Sequence, residues 1–268
     1  MKKTILAFLI AVAVCSLFLA GTVSAAKAGY VLPNYQGADI SADGAVGTGE
    51  WTDSFGDWLY DGWTKSTSIM KHKFEMGGTP SIADLWLVEV LSDTTNDAGD
   101  FFTFSFCSSL DNALSPQTDD ICVNYTRSAT KIYRGTGTGW AIDAAIVLGT
   151  NVIIASSTAA SPASATPHWI IELKFDKSGG IAGTSFDSNV RLAAYDASAG
   201  KTLMWPPLSS PDVPNDWGLN DYSSFAGGTI PEGLTIGVMV LLSSFAVIVS
   251  YRYFRRQPKA QSCHPAQL

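Results

Sequence analysis

The stretch that decides the fold is FFTFSFC, residues 101–107, together with ICVNYTR, residues 121–127. In the first, Phe102, Phe104 and Phe106 alternate with Thr103 and Ser105. In the second, Ile121, Val123 and Tyr125 alternate with Cys122 and Asn124. A period of two belongs to a strand, whose successive side chains point to opposite faces. Antiparallel pairing with Cys107 opposite Cys122 sets Phe106 against Val123 and Phe104 against Tyr125. The same register sets Ser105 against Asn124 and Thr103 against Thr126 on the polar face. It therefore predicts a Cys107–Cys122 disulfide, which suits an oxidising compartment. Asn124-Tyr125-Thr126 is an N-glycosylation sequon, with Asn124 on the polar face.

Outward from this pair the chain repeats the pattern. SIADLWLVEVLS (81–92) lies before it, and KIYRG (131–135), GWAIDAAIVLG (139–149), NVIIASS (151–157), HWIIELKF (168–175), VRLAAYDA (190–197) and TLMWPP (202–207) follow. Polar segments separate these runs, among them DTTNDAG (93–99), SSLDNALSPQTDD (108–120) and the Ser/Ala/Thr/Pro stretch ASSTAASPASATP (155–167), which reads as a loop. The acidic residues are nineteen Asp against five Glu, beside twenty-four Gly. Asp and Gly favour turns and Glu favours helices, so the composition fits short strands joined by many turns. The expected fold is all-β, an antiparallel β-sandwich spanning 26–219.

The two ends place this domain. Lys2 and Lys3 precede an apolar run that closes on Val23-Ser24-Ala25, the pattern of a cleavable signal peptide over 1–25. Near the other end nineteen residues without a charge separate Glu232 from Arg252. As a helix they would span roughly 28 Å, close to the hydrocarbon thickness of a bilayer. Tyr251, Tyr253 and the cluster Arg252, Arg255, Arg256, Lys259 give that span a cytoplasmic flank. The expected order is a signal peptide, an ectodomain, a linker at 220–232, one transmembrane helix at 233–251 and a basic cytoplasmic tail at 252–268. The protein would then be a single-pass protein of the cell membrane with its domain extracellular. Between residues 26 and 229 there are eleven Lys/Arg against twenty-three Asp/Glu, a net charge of −12. Such a surface repels nucleic acid, which is excluded as a partner.

Two stretches resemble known families. DISADGAVGTGEWTDSF (39–55), with Asp43-Gly44 and Glu50-Trp51, is similar to the opening of carbohydrate-binding module family 9 and its DOMON-like relatives. HWIIELKFDKSGG, with Trp169 and Glu172, is similar to their W-x-x-E strand, and VRLAAYDASAGKTLMWPP to their closing strand. The order spans most of 39–217, although the region from Trp58 to Thr79 departs from it. Separately, Pro231-Glu232-Gly233 before the apolar span and an Arg-rich end resembles the sorting anchors of surface proteins, which usually carry Phe where this chain has Gly233.

The resemblance implies a sugar-binding β-sandwich. Pyranose rings stack their C–H faces on indoles, and all eight Trp lie in the ectodomain. By position Trp205 and Trp86 are the two expected to hold the sugar. The Asp-rich loops suggest calcium, with Asp93, Asp97, Asp100, Asp111 and Asp119 as oxygen ligands. A different branch of the resembled fold binds haem b, and the cluster Met70, His72 and Met76 offers axial ligands for that alternative. A structural cell-surface or appendage subunit is the third reading. No G-x-S-x-G, H-E-x-x-H, C-x-x-C or phosphate loop is present, so a binding module rather than an enzyme is expected.

Overall fold

A computed structural model describes residues 27, 29–77, 82–111, 113–178 and 187–222. The predicted signal peptide, membrane span and basic tail, and nearly all of the linker, lie outside the described residues. The strands are β1 (Val31–Pro33), β2 (Phe55–Asp61), β3 (Thr64–Met76), β4 (Ile82–Val90), β5 (Phe101–Cys107), β6 (Asp120–Thr126), β7 (Ala129–Gly135), β8 (Trp140–Ile142), β9 (Val152–Ser161), β10 (Ser164–Asp176), β11 (Ser188–Asp196), β12 (Lys201–Trp205) and β13 (Gly218–Asp221). A single 3₁₀ turn, Pro214–Asp216, is the only helical element among the described residues.

The strands form one 13-stranded sheet in the order β8-β7-β6-β5-β11-β12-β2-β3-β4-β10-β9, with β13 beside β11 and β1 beside β13. Every strand pair is antiparallel except β1 with β13. β12 meets β2 through one residue pair, Met204 opposite Tyr60. On either side of that narrow seam the sheet curls, and its halves face each other. Trp86 of β4 stands 5.4 Å from Phe104 of β5, and Phe175 of β10 stands 5.1 Å from Phe106, ring centre to ring centre. These strands are far apart in the sheet order, so the contacts cross the interior. The core they form also holds Val88, Val123, Ile171, Val190 and Leu192.

β4 is covered on both sides, which explains why IADLWLVEV lacks a polar alternation. Trp86, Val88 and Val90 face the main core. Leu85 and Leu87 pack instead under Ile40 and Trp51, which come from the segment that leads into β2. Lys73 pins that segment by donating to the Glu50 carbonyl and the Asp53 carboxylate, each at 2.7 Å.

The pairing of β5 and β6 has the predicted faces and a different register. Phe106 opposes Ile121, Phe104 opposes Val123 and Thr103 opposes Asn124, two residues away from the expected match. A two-residue slip leaves every side chain on its face, so the apolar pattern does not distinguish the two registers. The turn before β6 decides: Asp120 N donates to Gln117 O at 3.0 Å, and Gln117 N to Asp120 Oδ2 at 2.7 Å. Cys107 consequently faces Asp120, and Cys122 faces Ser105. The predicted disulfide is corrected: Cys107 and Cys122 stand diagonally and are buried free thiols. Burial pushes both thiols above their ordinary range. One loop assignment changes as well: the stretch 155–167 belongs to the β9–β10 hairpin, turning at Pro162-Ala163. The region that departs from the family pattern, Trp58–Met76, lies in the β2–β3 hairpin.

Candidate functional site

The pieces that carried the sequence resemblance meet at one carboxylate. Glu172, fully buried in β10, accepts from Trp51 Nε1 at 2.9 Å and from the backbone N–H of Asp43 and Gly44 at 3.1 and 3.0 Å. Burial pushes Glu172 up, against the pull of those three donors. This carboxylate is an architectural clamp, closed off from solvent.

The open site lies at the end of the β2–β3 hairpin. Its turn, Gly62-Trp63, needs glycine because residue 62 takes φ 60°. A groove of about 400 Å³ runs between this hairpin, the start of β12 and the turn that follows β4, lined by Asp61, Thr64, Lys65, Ser66, Thr67, Ser92, Lys201 and Leu203. Lys201 reaches Asp61 at 3.0 Å in a pair about half exposed on both sides, so it holds little energy and opens readily to a ligand. Trp63 on the turn is 67 % exposed and Trp58 on β2 is 45 % exposed, the two most open indoles among the described residues. Lys27 Nζ stands 5.3 Å from the Trp63 ring centre, and Lys65 Nζ 4.2 Å from that of Trp58. Trp58 also walls a smaller hollow of about 130 Å³ with Gly56, Asp57, Ile69, Met70 and Lys71. The groove thus combines hydroxyls, ammonium groups and a carboxylate, and the exposed Trp63 and Trp58 lie on the same hairpin outside that lining. Asp61 is its single carboxylate.

Neither Trp expected to hold a sugar is open. Trp86 is 1 % and Trp205 0 % exposed. Trp86 stacks on His72 at 4.8 Å, and Trp205 donates from Nε1 to Asp57 Oδ2 at 3.0 Å. Both rings serve the core, because the inward positions of β4 and β12 are where they fall. The sugar-platform assignment of Trp86 and Trp205 is corrected accordingly. The signal that points to Trp63 instead is Asp61-Gly62 between two strand-like runs, a strong hairpin mark within the region that departs from the family pattern.

Three of the five expected calcium ligands come together. Asp93, Asp97 and Asp100 offer oxygens within 4.8 Å of one another. Arg127 sits in that nest, donating to Asp100 Oδ2 at 2.8 Å, to Asp93 Oδ2 at 3.2 Å and to the Thr95 carbonyl at 2.8 Å, while its guanidinium carbon lies 4.7 Å from the Trp169 ring centre. Asp111 and Asp119 are not part of it. Asp111 caps the Ala113 N–H at 3.0 Å, and Asp119 accepts from Ser109 N at 3.1 Å.

The residues of the haem alternative share one face of β3. Met70 is in the main core and Met76 is exposed at the strand's end. His72 is buried between Trp86 and Phe55, at 4.8 and 5.9 Å between ring centres. Burial pushes His72 down to about 3. Asn124 is half-buried in mid-strand, opposite Thr103 and Lys131.

No protein-family model and no curated protein matches the chain. Among solved structures the fold is similar to a carbohydrate-binding module family 9 domain from Caldicellulosiruptor kristjanssonii in complex with glucose. The TM-score is 0.48 and the identity 15 %, over 72 % of this chain and 95 % of that one. A module of the same family and organism in complex with cellotriose is similar at a TM-score of 0.47 and 15 % identity, over 72 % of this chain and 93 % of that one. This is the family that the opening and W-x-x-E stretches resemble.

Proposed function

We propose that the domain is a carbohydrate-binding module, held at the outer face of a membrane by the apolar segment 233–251. The observation that carries the reading is the β2–β3 hairpin: the polar lining of its groove fits sugar hydroxyls, and Trp63 and Trp58, exposed on the same hairpin outside that lining, offer apolar surface for pyranose C–H faces. A binding role rather than glycoside hydrolysis fits the lining, since hydrolysis needs a pair of carboxyl groups and the groove presents Asp61 alone. The leader-like and membrane-like ends, with an acidic chain between them, support an exported domain.

The test is a glycan array with the full-length protein, followed by calorimetry on the saccharides retained. Trp63→Ala is expected to weaken binding about tenfold while leaving the melting temperature unchanged, because the ring is on the surface. Absence of binding to every saccharide, or binding indifferent to both Trp63→Ala and Lys201→Ala, would remove this reading.

A further inference from the structure

We propose that a row of residues across β11, β5 and β6, made of Asn189, Cys107 and Asp120 with Asp119 beside it, is a binding site for a thiophilic divalent cation of the zinc class. Cys107 is paired with Asn189 on one side and with Asp120 on the other. The three side chains therefore stand on one face, with neighbouring Cβ atoms about 5 Å apart. The sulfur of Cys107 and one carboxylate oxygen from each of Asp119 and Asp120 all lie within 4.8 Å of one another. Ligands at roughly 2.0–2.3 Å from a tetrahedral ion are about 3.3–3.8 Å apart, so the three groups would draw together on binding.

A separate observation points to a ligand here. Cys107, Asp120 and Asn189 are each 0 % exposed. Asp120 Oδ1 and both amide atoms of Asn189 nevertheless have no hydrogen-bond partner. Buried polar atoms left without partners are uncommon and costly. The other oxygen of Asp120 is held by Gln117 N at 2.7 Å, which leaves Oδ1 for the ion. Asp119 is fixed by Ser109 N at 3.1 Å and lies 3.8 Å from Cys107 Sγ. Asp119 is half-buried and Ser109 exposed, so the site has access from solvent on that side. Arg191, a cation on the same face, is engaged by Ser209 O and Thr103 Oγ1, each at 3.0 Å.

The donor set selects the metal. Thiolate is soft and favours zinc, whereas calcium prefers an all-oxygen shell of six or more. On binding, the Cys107 S–H bond breaks, its proton passes to solvent, and the thiolate, two carboxylate oxygens and the Asn189 amide oxygen complete a four-ligand set.

The full-length protein, kept reduced and stripped with a chelator, is titrated with Co²⁺ and then Zn²⁺. One equivalent of Co²⁺ is expected to raise a near-ultraviolet thiolate-to-cobalt absorption that Zn²⁺ abolishes. Cys107→Ser should eliminate it, Asp120→Asn should lower Zn²⁺ affinity roughly ten- to a hundredfold, and Cys122→Ser should leave both unchanged. Circular dichroism of the metal-free variants checks their fold. A readout on the native chain needs no variant: Zn²⁺ should slow alkylation of Cys107, mapped by peptide mass spectrometry. No thiolate absorption, absorption that survives Cys107→Ser, or protection absent at Cys107 would overturn the proposal.

Discussion

Glu172 shows how one residue can join distant parts of a sequence. The Trp51 indole and the Asp43 and Gly44 amides have it as their common acceptor. Glu172→Ala strands two buried donors, the Trp51 indole and the Gly44 amide, and the partly buried Asp43 amide; it is expected to lower stability by about 3 kcal/mol in urea denaturation, and a loss under about 1 kcal/mol would contradict the clamp. His72 gives a second prediction at this scale. The folded chain holds it neutral down to about 3, from an ordinary value of 6.5. The unfolded chain therefore takes up a proton first, so this contribution to stability is complete above pH 6.5 and fades as pH falls towards 3. The loss is on the order of 5 kcal/mol over that window. His72→Phe, which keeps a ring against Trp86, should flatten the acid limb of the stability curve, and an unchanged limb would show that another group sets it. Trp51 and Trp169 are core residues, and each lies in a stretch that carries the family resemblance. Trp86 and Trp205 were not separable from surface tryptophans, because an indole on an alternating strand reads the same whether its face meets a partner sheet or water.

At the scale of elements, strands were legible wherever apolar residues alternate, as in β5, β6, β10 and β11. The β9–β10 hairpin was hidden because its distal half is built of Ser, Ala and Thr, which carry no alternation of hydropathy. The hairpin that forms the groove was hidden because β3 carries polar residues on both faces, Lys65 and Thr67 in the open and Ser68 and Lys73 buried. Register was illegible for a different reason: a two-residue slip changes partners and preserves faces. The opening turn depends on β9 in a way that a substitution can expose. Gly44 has φ 84°, and a Cβ there would fall 2.6 Å from the Ser156 carbonyl carbon. Gly44→Ala is expected to cost about 2 kcal/mol or more, read as a lowered urea midpoint, and an unaltered midpoint would mean that the turn can move away from β9.

Across the domain, one continuous core joins sheet halves that touch along a single pair, Met204 with Tyr60. Cohesion between the halves comes from Phe104, Phe106, Trp86 and Phe175 rather than from the hydrogen bonds of the seam. Unfolding should accordingly be a single transition, with tryptophan fluorescence and far-ultraviolet circular dichroism coinciding. Two separated transitions would mean that the halves fold independently.

The guanidinium in the aspartate nest has a bearing on habitat. A positive charge attached to the chain cannot be leached by sequestering agents or diluted away. The bend from residue 93 to residue 100 carries a counterion of its own, supplied by the chain rather than drawn from the surrounding water.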